Sequence, residues 1–393
     1  MCCCCPSAIQ ALFCLWVQSG FSKGSVAGAL TFFPPEPPLY EFERCDKDGN
    51  ALDDDEHDEN GEMVEAYKDE HGEEKGELAI PTGAAPTVGE QSKKRNETNN
   101  NDKKKKKKQK SPAAQLTERA KLLRSRSKER NARDKADAKA GVTYTLRLDP
   151  RLPNPPSYGA PVEAVKIPSK DGTFIATVVY KVPEDHVTPE TKTIIYSHGN
   201  ATDVGAMYPL QAMLVQSLLC HVVSYDYSGY GESGGVAMEA NTYKDIAAVY
   251  DYTLKNVAEG VASNIILYGQ SVGSGPSCHL ACKNDDIGGL ILHSPFTSGM
   301  RVLTPSRALA CLDIYPNINR ITKVKCPVMV IHGVLDEEVD ISHGKAMHNA
   351  VPPDLRREPW WVKDRGHNDI TEGPGKMAEY LRRLRTFILH LDD

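Results

Sequence analysis

The chain has 393 residues, 40% hydrophobic and 25% charged, enough for one sizeable core with segments to spare or for two smaller ones. Its formal net charge of -6 averages an acidic block over 46–79 and a basic block over 93–130, so it describes no folded surface. No internal repeat stands out, which argues against a solenoid.

The chain opens MCCCCPSAIQALFCLW. A secretory signal wants a basic n-region, and the first ten residues carry no basic side chain. The apolar run Ala8–Val17 is too short to span a bilayer, which takes roughly 20 residues. A second apolar stretch, Val26–Phe33, stops at Pro34-Pro35. Adjacent thiols pair poorly, because a disulfide demands separated Cα atoms. Thiols beside an apolar run are the usual substrates of S-palmitoylation. Cys2, Cys3, Cys4, Cys5 and Cys14 are therefore the expected lipid-attachment points. Two acyl chains anchor stably where one binds only marginally. The competing reading is an unmodified, redox-exposed tail. Residues 1–45 are taken as an anchoring segment.

Residues 46–140 are read as a charged, largely disordered insert, since so polar a stretch buries too little apolar surface to offset chain entropy. Within it 114–139 is suited to a transient basic helix. The run Lys103–Lys108 suits anionic lipid, a solvated linker or a nuclear signal about equally.

From 141 to 393 apolar runs alternate with segments of helical length. FIATVVYKV, TIIYSHG, HVVSYD, NIILYG, GLILHS and VMVIHG read as strands. The pattern predicts an α/β fold with a mostly parallel central sheet and helices on both faces. TIIYS runs into His198-Gly199-Asn200-Ala201. NIILYG runs into Gly269-Gln270-Ser271-Val272-Gly273, with SGPSCHLAC continuing as a helix.

Alone, G-x-S-x-G is a weak signal, but a strand before it and a helix after it are the setting of a nucleophile elbow. Serine needs a base, and the base an orienting carboxylate. In such a fold the chain order is Ser, acid, His. Asp336 lies three residues past VMVIHG, ahead of its rivals Glu337, Glu338 and Asp340, and His367 lies in the loop of PWWVKDRGHND. Ser271, Asp336 and His367 are the predicted catalytic triad. The backbone N–H groups of Val272 and Asn200 are the predicted oxyanion hole. His198 and Gly199 are expected to shape the turn, and His293, His332, His343 and His348 to be structural or exposed. About 35 residues, Ser294–Val328, separate two late strands, too few for a large lid domain. The cysteines from Cys220 onward read as buried small hydrophobes. Cys278 and Cys282 stand i, i+4 without a second ligand pair, so no metal site is expected.

SHGNATDVG, SYDYSGYGESGG, ILYGQSVGSGP, LHSPFTSGMRV, YPNI, IHGVLDEEVDISHG and GHNDI, spread over nearly all of 160–393, closely resemble the alpha/beta-hydrolase domain-containing protein 17 family of membrane-associated protein depalmitoylases. The cysteine cluster followed by LTFFPPEPPLYEF is similar to that family's palmitoylated amino terminus. The resemblance implies the alpha/beta-hydrolase fold and a triad on Ser271, Asp336 and His367. It further implies thioester hydrolysis of S-acylated membrane proteins through an acyl-serine, with no cofactor. It places the chain on the cytoplasmic face of plasma and endosomal membranes, held by its palmitoylated amino terminus, with no nucleic-acid partner. A lipase or esterase on monoacylglycerol or lysophospholipid is the alternative, and a non-catalytic scaffold a more distant one. The 46–140 segment departs from the family in being longer and more charged.

Overall fold

The computed structural model describes residues 32–52, 112–152, 161–303 and 313–391, excluding the side chains of 112–123, Met300 and Leu303. Ten strands form one sheet in the order β1-β2-β3-β4-β6-β5-β7-β8-β9-β10. They are β1 (Tyr40–Cys45), β2 (Thr143–Leu148), β3 (Val162–Pro168), β4 (Phe174–Tyr180), β5 (Thr193–Ser197), β6 (His221–Tyr225), β7 (Ile265–Gln270), β8 (Gly289–His293), β9 (Val328–Gly333) and β10 (Trp360–Val362). The strands from β1 to β4 pair antiparallel and β4 meets β6 antiparallel. From β6 to β10 every pairing is parallel. Each of the six runs read as strands from 141 onward is a strand here.

The parallel strands read as continuous apolar runs because both faces are covered. In β7, Ile265 and Leu267 enter one core while Ile266 and Tyr268 enter the other. In β9, Val328 and Val330 alternate in the same way with Met329 and Ile331. The longer helices are α1 (Pro112–Ala140), α2 (Val204–Leu218), α3 (Glu239–Asn256), α4 (Ser274–Ala281), α5 (Ile341–Ala350) and α6 (Lys376–Leu389). Helices α3, α4 and α5 supply Ile246, Cys278 and Met347 to the first core. Helices α2 and α6 supply Leu214 and Leu384 to the second. Two helical layers around a mostly parallel sheet make this an alpha/beta-hydrolase fold. Between β8 and β9 the described residues form only short helical turns at Gly299–Leu303, Asn317–Arg320 and Ile321–Lys323.

One expectation needs correction. Strand β1 and helix α1 belong to the same compact unit as 141–393, so that unit takes in residues on both sides of 53–111. Residues 53–111, like the cysteines at 2–5 and 14, lie outside the described residues. Helix α1 begins with Pro at its first position, continues through strong helix formers, and stops before Gly141 at φ +72°. Its docked face is read at helical spacing. Ser127 Oγ accepts from Gly235 N–H at 2.8 Å, and Arg130 donates to the carbonyls of Gly231 and Ser233 at 2.6 and 3.0 Å. Asp134 meets Lys166 at 2.7 Å with both side chains buried, and Asp137 takes Arg44 at 2.6 Å and Tyr144 at 3.1 Å. Composition alone made this stretch look unable to fold. Two of its acidic positions, Asp134 and Asp137, are matched to partners outside the helix.

Among the described residues Cys45, Cys220, Cys278 and Cys326 are buried and Cys282 half-buried, none in a disulfide. Burial pushes the Cys220 and Cys326 thiols up to about 12. Such thiols are packing groups. No helix among the described residues is long and apolar enough to cross a membrane.

Candidate active site

Strand β7 ends at Gln270, and Ser271 opens a tight turn, 271–273, that leads into α4. Ser271 has φ +50°, a conformation that costs a side-chain-bearing residue on the order of 1–3 kcal/mol and clusters at functional sites. The glycines on either side have a steric reason. A Cβ on Gly269 would stand 2.6 Å from the Gly273 carbonyl oxygen, and one on Gly273 would stand 2.1 Å from that of Ser197. The second approach presses the Ser271 turn against the end of β5, beside the loop that begins at His198.

Strand β9 delivers Asp336 three residues beyond its end, and β10 leads into the loop bearing His367. Their loops are tied together, since Val334 and Leu335 donate N–H bonds to the carbonyls of Val362 and Arg365 at 2.8 and 2.9 Å. The result is a hydrogen-bonded chain. Ser271 Oγ lies 2.9 Å from His367 Nε2, and His367 Nδ1 lies 2.7 Å from Asp336 Oδ2. With Nδ1–H donating to the carboxylate, Nε2 is left to accept the serine proton. The sequence spacing thus names three residues that the fold brings into one line.

Asp336 is buried, and its other oxygen accepts the N–H groups of Glu338 at 3.0 Å and Val339 at 2.7 Å. Burial alone would raise this carboxyl. Hydrogen bonds from His332 and His367, with the Val339 N–H, outweigh it and hold Asp336 well below the usual carboxylate range. The rivals fall into place. Glu337 is exposed. Glu338 reaches only within 3.9 Å of His367 Nε2, on the serine side of the ring, and Asp340 caps α5 through Ser342 N–H at 2.8 Å.

His332 was expected to be structural or exposed, and sequence reasoning missed its link to the acid. Its Nε2 lies 2.8 Å from the Val339 carbonyl and 3.1 Å from Asp336 Oδ2. The available signal was its place in β9, four residues before the acid. His293 is buried too, with Nδ1 2.9 Å from Tyr268 Oη. Burial, with His367 and His332 nearby, pushes it down to about 3. His198, as expected, is enclosed, with Nδ1 2.7 Å from the Gly199 carbonyl and Nε2 3.1 Å from Asp226.

Val272 is buried in the turn, and Asn200 lies in the loop after β5, followed by Ala201 at φ +53°. Asn200 Oδ1 accepts from Tyr230 Oη at 2.7 Å and from Phe33 N–H at 3.0 Å. Neither partner was anticipated from sequence.

Residues 188–318, which include Ser271 but not Asp336 or His367, match the family described as serine aminopeptidase, S33. Alpha/beta hydrolase domain-containing protein aho-3 of Caenorhabditis elegans is 44% identical over 213 residues, 54% of this chain and 60% of the relative. Human alpha/beta hydrolase domain-containing protein 17C is 45% identical over 199 residues, 50% of this chain and 58% of the relative. The chain thus spans less than two thirds of those two relatives' own length. Against human alpha/beta hydrolase domain-containing protein 17B the identity is 42% over 203 residues, 51% of this chain and 68% of the relative. Identity at that level, across that share of a member, makes this chain a member of the alpha/beta hydrolase domain-containing protein 17 family.

Proposed function

We propose that this chain is a membrane-anchored serine hydrolase that removes palmitate from S-acylated cysteines of proteins. The observation that carries the catalytic part is the relay Ser271–His367–Asp336, at 2.9 and 2.7 Å, with the serine held at φ +50° on its elbow. His367 Nε2 takes the Ser271 proton as Oγ attacks the thioester carbonyl carbon. The oxyanion rests on the N–H groups of Val272 and Asn200. As the tetrahedral intermediate collapses, the C–S bond breaks and the cysteine sulfur leaves with the proton from His367. Water then attacks the acyl-serine, giving its proton to His367, and collapse returns Ser271 Oγ–H and a free fatty acid. Asp336 stays ionised throughout and stabilises the imidazolium. Its strongly lowered carboxyl suits that part.

The thioester preference and the anchor rest on family membership and on the cysteine cluster at Cys2, Cys3, Cys4, Cys5 and Cys14. Acyl chains there would hold the enzyme on the cytoplasmic face of plasma and endosomal membranes. Confinement to that surface raises its effective concentration toward acylated membrane proteins. Changing Cys2–Cys5 to Ser is expected to release the chain to the soluble fraction, with hydrolysis of soluble esters unchanged; persistent membrane association refutes the anchor.

The decisive assay is hydrolysis of an S-palmitoylated peptide by the full chain and by Ser271→Ala, with a monoacylglycerol in parallel. Thioester cleavage well above glyceride cleavage, lost by a factor of about 10⁴ or more in Ser271→Ala, is expected. Glyceride cleavage alone makes this a lipid hydrolase on the same triad. No serine-dependent activity on either substrate overturns the hydrolase reading.

A further inference from the structure

Residues 32–39, just ahead of β1, are packed against the site. Phe32 is buried, 7% exposed, with its ring centroid 6.3 Å from that of Tyr230 and 6.3 Å from that of Tyr315, edge-on to both. One of these tyrosines meets the loop after β5 and the other the helix after the elbow. Tyr230 Oη donates to Asn200 Oδ1. The Tyr315 ring packs so closely on Gly275 that a Cβ there would stand 2.2 Å away, in the first turn of the helix that follows Ser271. The next residue adds a direct bond, with Phe33 N–H shared between Asn200 Oδ1 at 3.0 Å and Tyr230 Oη at 3.2 Å.

Further along, Leu39 N–H donates to Asp203 Oδ2 at 2.7 Å, while Asp203 Oδ1 caps α2 through Ala206 N–H at 2.9 Å. Tyr40 Oη donates to Asp226 at 2.5 Å, and a Cβ on Gly205 would stand 2.7 Å from the Leu39 carbonyl oxygen. Residues 32–40 therefore hold the loop between β5 and α2 at Asn200, in its middle, and at Asp203, where α2 begins.

We propose that residues 32–40 are a strap built into the catalytic site, with Phe32 the positioning residue that sets Asn200 against the Ser271 elbow. Phe32 touches no substrate; it acts through Tyr230 and Asn200 on one side and Tyr315 on the other. Because the strap continues directly into the cysteine-bearing segment, the stretch that would anchor the protein also helps to assemble its oxyanion loop. This inference rests on the serine-hydrolase reading of the site.

The test uses full-length Phe32→Ala and Phe32→Leu, with Phe42→Leu as the control. Phe42 is buried in β1, with its ring against those of Tyr40 and Tyr144. Steady-state kinetics on a soluble ester are measured with Tm for each protein. Losing one oxyanion donor costs on the order of 10²–10³ in kcat, so a displaced one is expected to cost Phe32→Ala at least about 10-fold. KM should hold within about two-fold, the pattern of an interaction made in the transition state. Phe32→Leu should recover part of the loss. Phe42→Leu should lower Tm and keep kcat.

Unchanged kcat in Phe32→Ala overturns the strap, as does an equal loss in Phe42→Leu at matched Tm. Should Phe32→Ala not fold, Phe32→Leu decides alone, and wild-type kcat in it overturns the proposal. Ester hydrolysis that survives Ser271→Ala overturns the hydrolase reading and the strap with it. Serine-dependent hydrolysis with a Phe32-independent kcat overturns the strap alone.

Discussion

Asp336 serves two imidazoles, His367 at 2.7 Å and His332 at 3.1 Å. Both rings reach the same carboxylate oxygen, Oδ2, one from β9 and the other from the loop after β10. Chain order made Ser271, Asp336 and His367 legible in sequence, because strand ends deliver side chains to one edge of a parallel sheet. His332 was not legible, since a histidine within an apolar strand looks like any core histidine until its neighbour is known. His293 shows the electrostatic side of the same crowding. Its folded value of about 3 lies below the unfolded 6.5, so as pH falls the unfolded chain takes the proton first. That part of the stability is complete above about 6.5 and is lost progressively toward 3. Replacing His293 by Gln should therefore flatten the fall in stability with decreasing pH, by up to about 1.4 kcal/mol per pH unit. Urea midpoints at several pH values measure it, and parallel profiles for the two proteins would contradict it.

At the scale of elements, the late strands were readable because each is a short apolar run between polar breaks. Strands β1 and β2 and helix α1 were harder. In β2 exposed and half-buried positions alternate, and α1 exposes most of its charge. Among the described side chains of α1, those that meet the body do so through paired charge and hydrogen bonds, as between Asp134 and Lys166, which sequence cannot match in advance. Breaking a buried pair leaves an uncompensated charge and costs about 3–5 kcal/mol. Lys166→Met is accordingly expected to loosen α1, with faster tryptic cleavage at Lys128 and Lys135. Adding Asp134→Leu should restore resistance. Equal cleavage in the single variant and the parent would show that the pair does not hold the helix.

For the molecule as a whole, the mostly parallel sheet with helices on both faces followed from apolar runs alternating with segments of helical length along the chain. The strand inversion that places β6 between β4 and β5 was not legible, because periodicity carries no information about which strands are neighbours. The division of the chain was misjudged for the reason given for α1. Composition reports what a segment could bury by itself, whereas 112–140 is stabilised by what it meets.

The docking of α1 also fixes a length. Leu52 lines one surface recess with Ala140, the last residue of the helix, and with Gly141 and Val142, so the described chain leaves at the helix's carboxyl end and re-enters at Pro112, its amino end. A 29-residue helix is about 43 Å long, which at roughly 3.3 Å per extended residue takes at least about 13 residues to bridge. Any chain that joins Leu52 to Pro112 must therefore cover that distance, which sets a floor on its length. Replacing 53–111 with a thirty-residue Gly/Ser linker should leave Tm and ester hydrolysis near those of the parent. A six-residue linker, with a reach of about 20 Å, should pull α1 from its seat and lower Tm. The sequence of that stretch is then open to change, while its length has a floor.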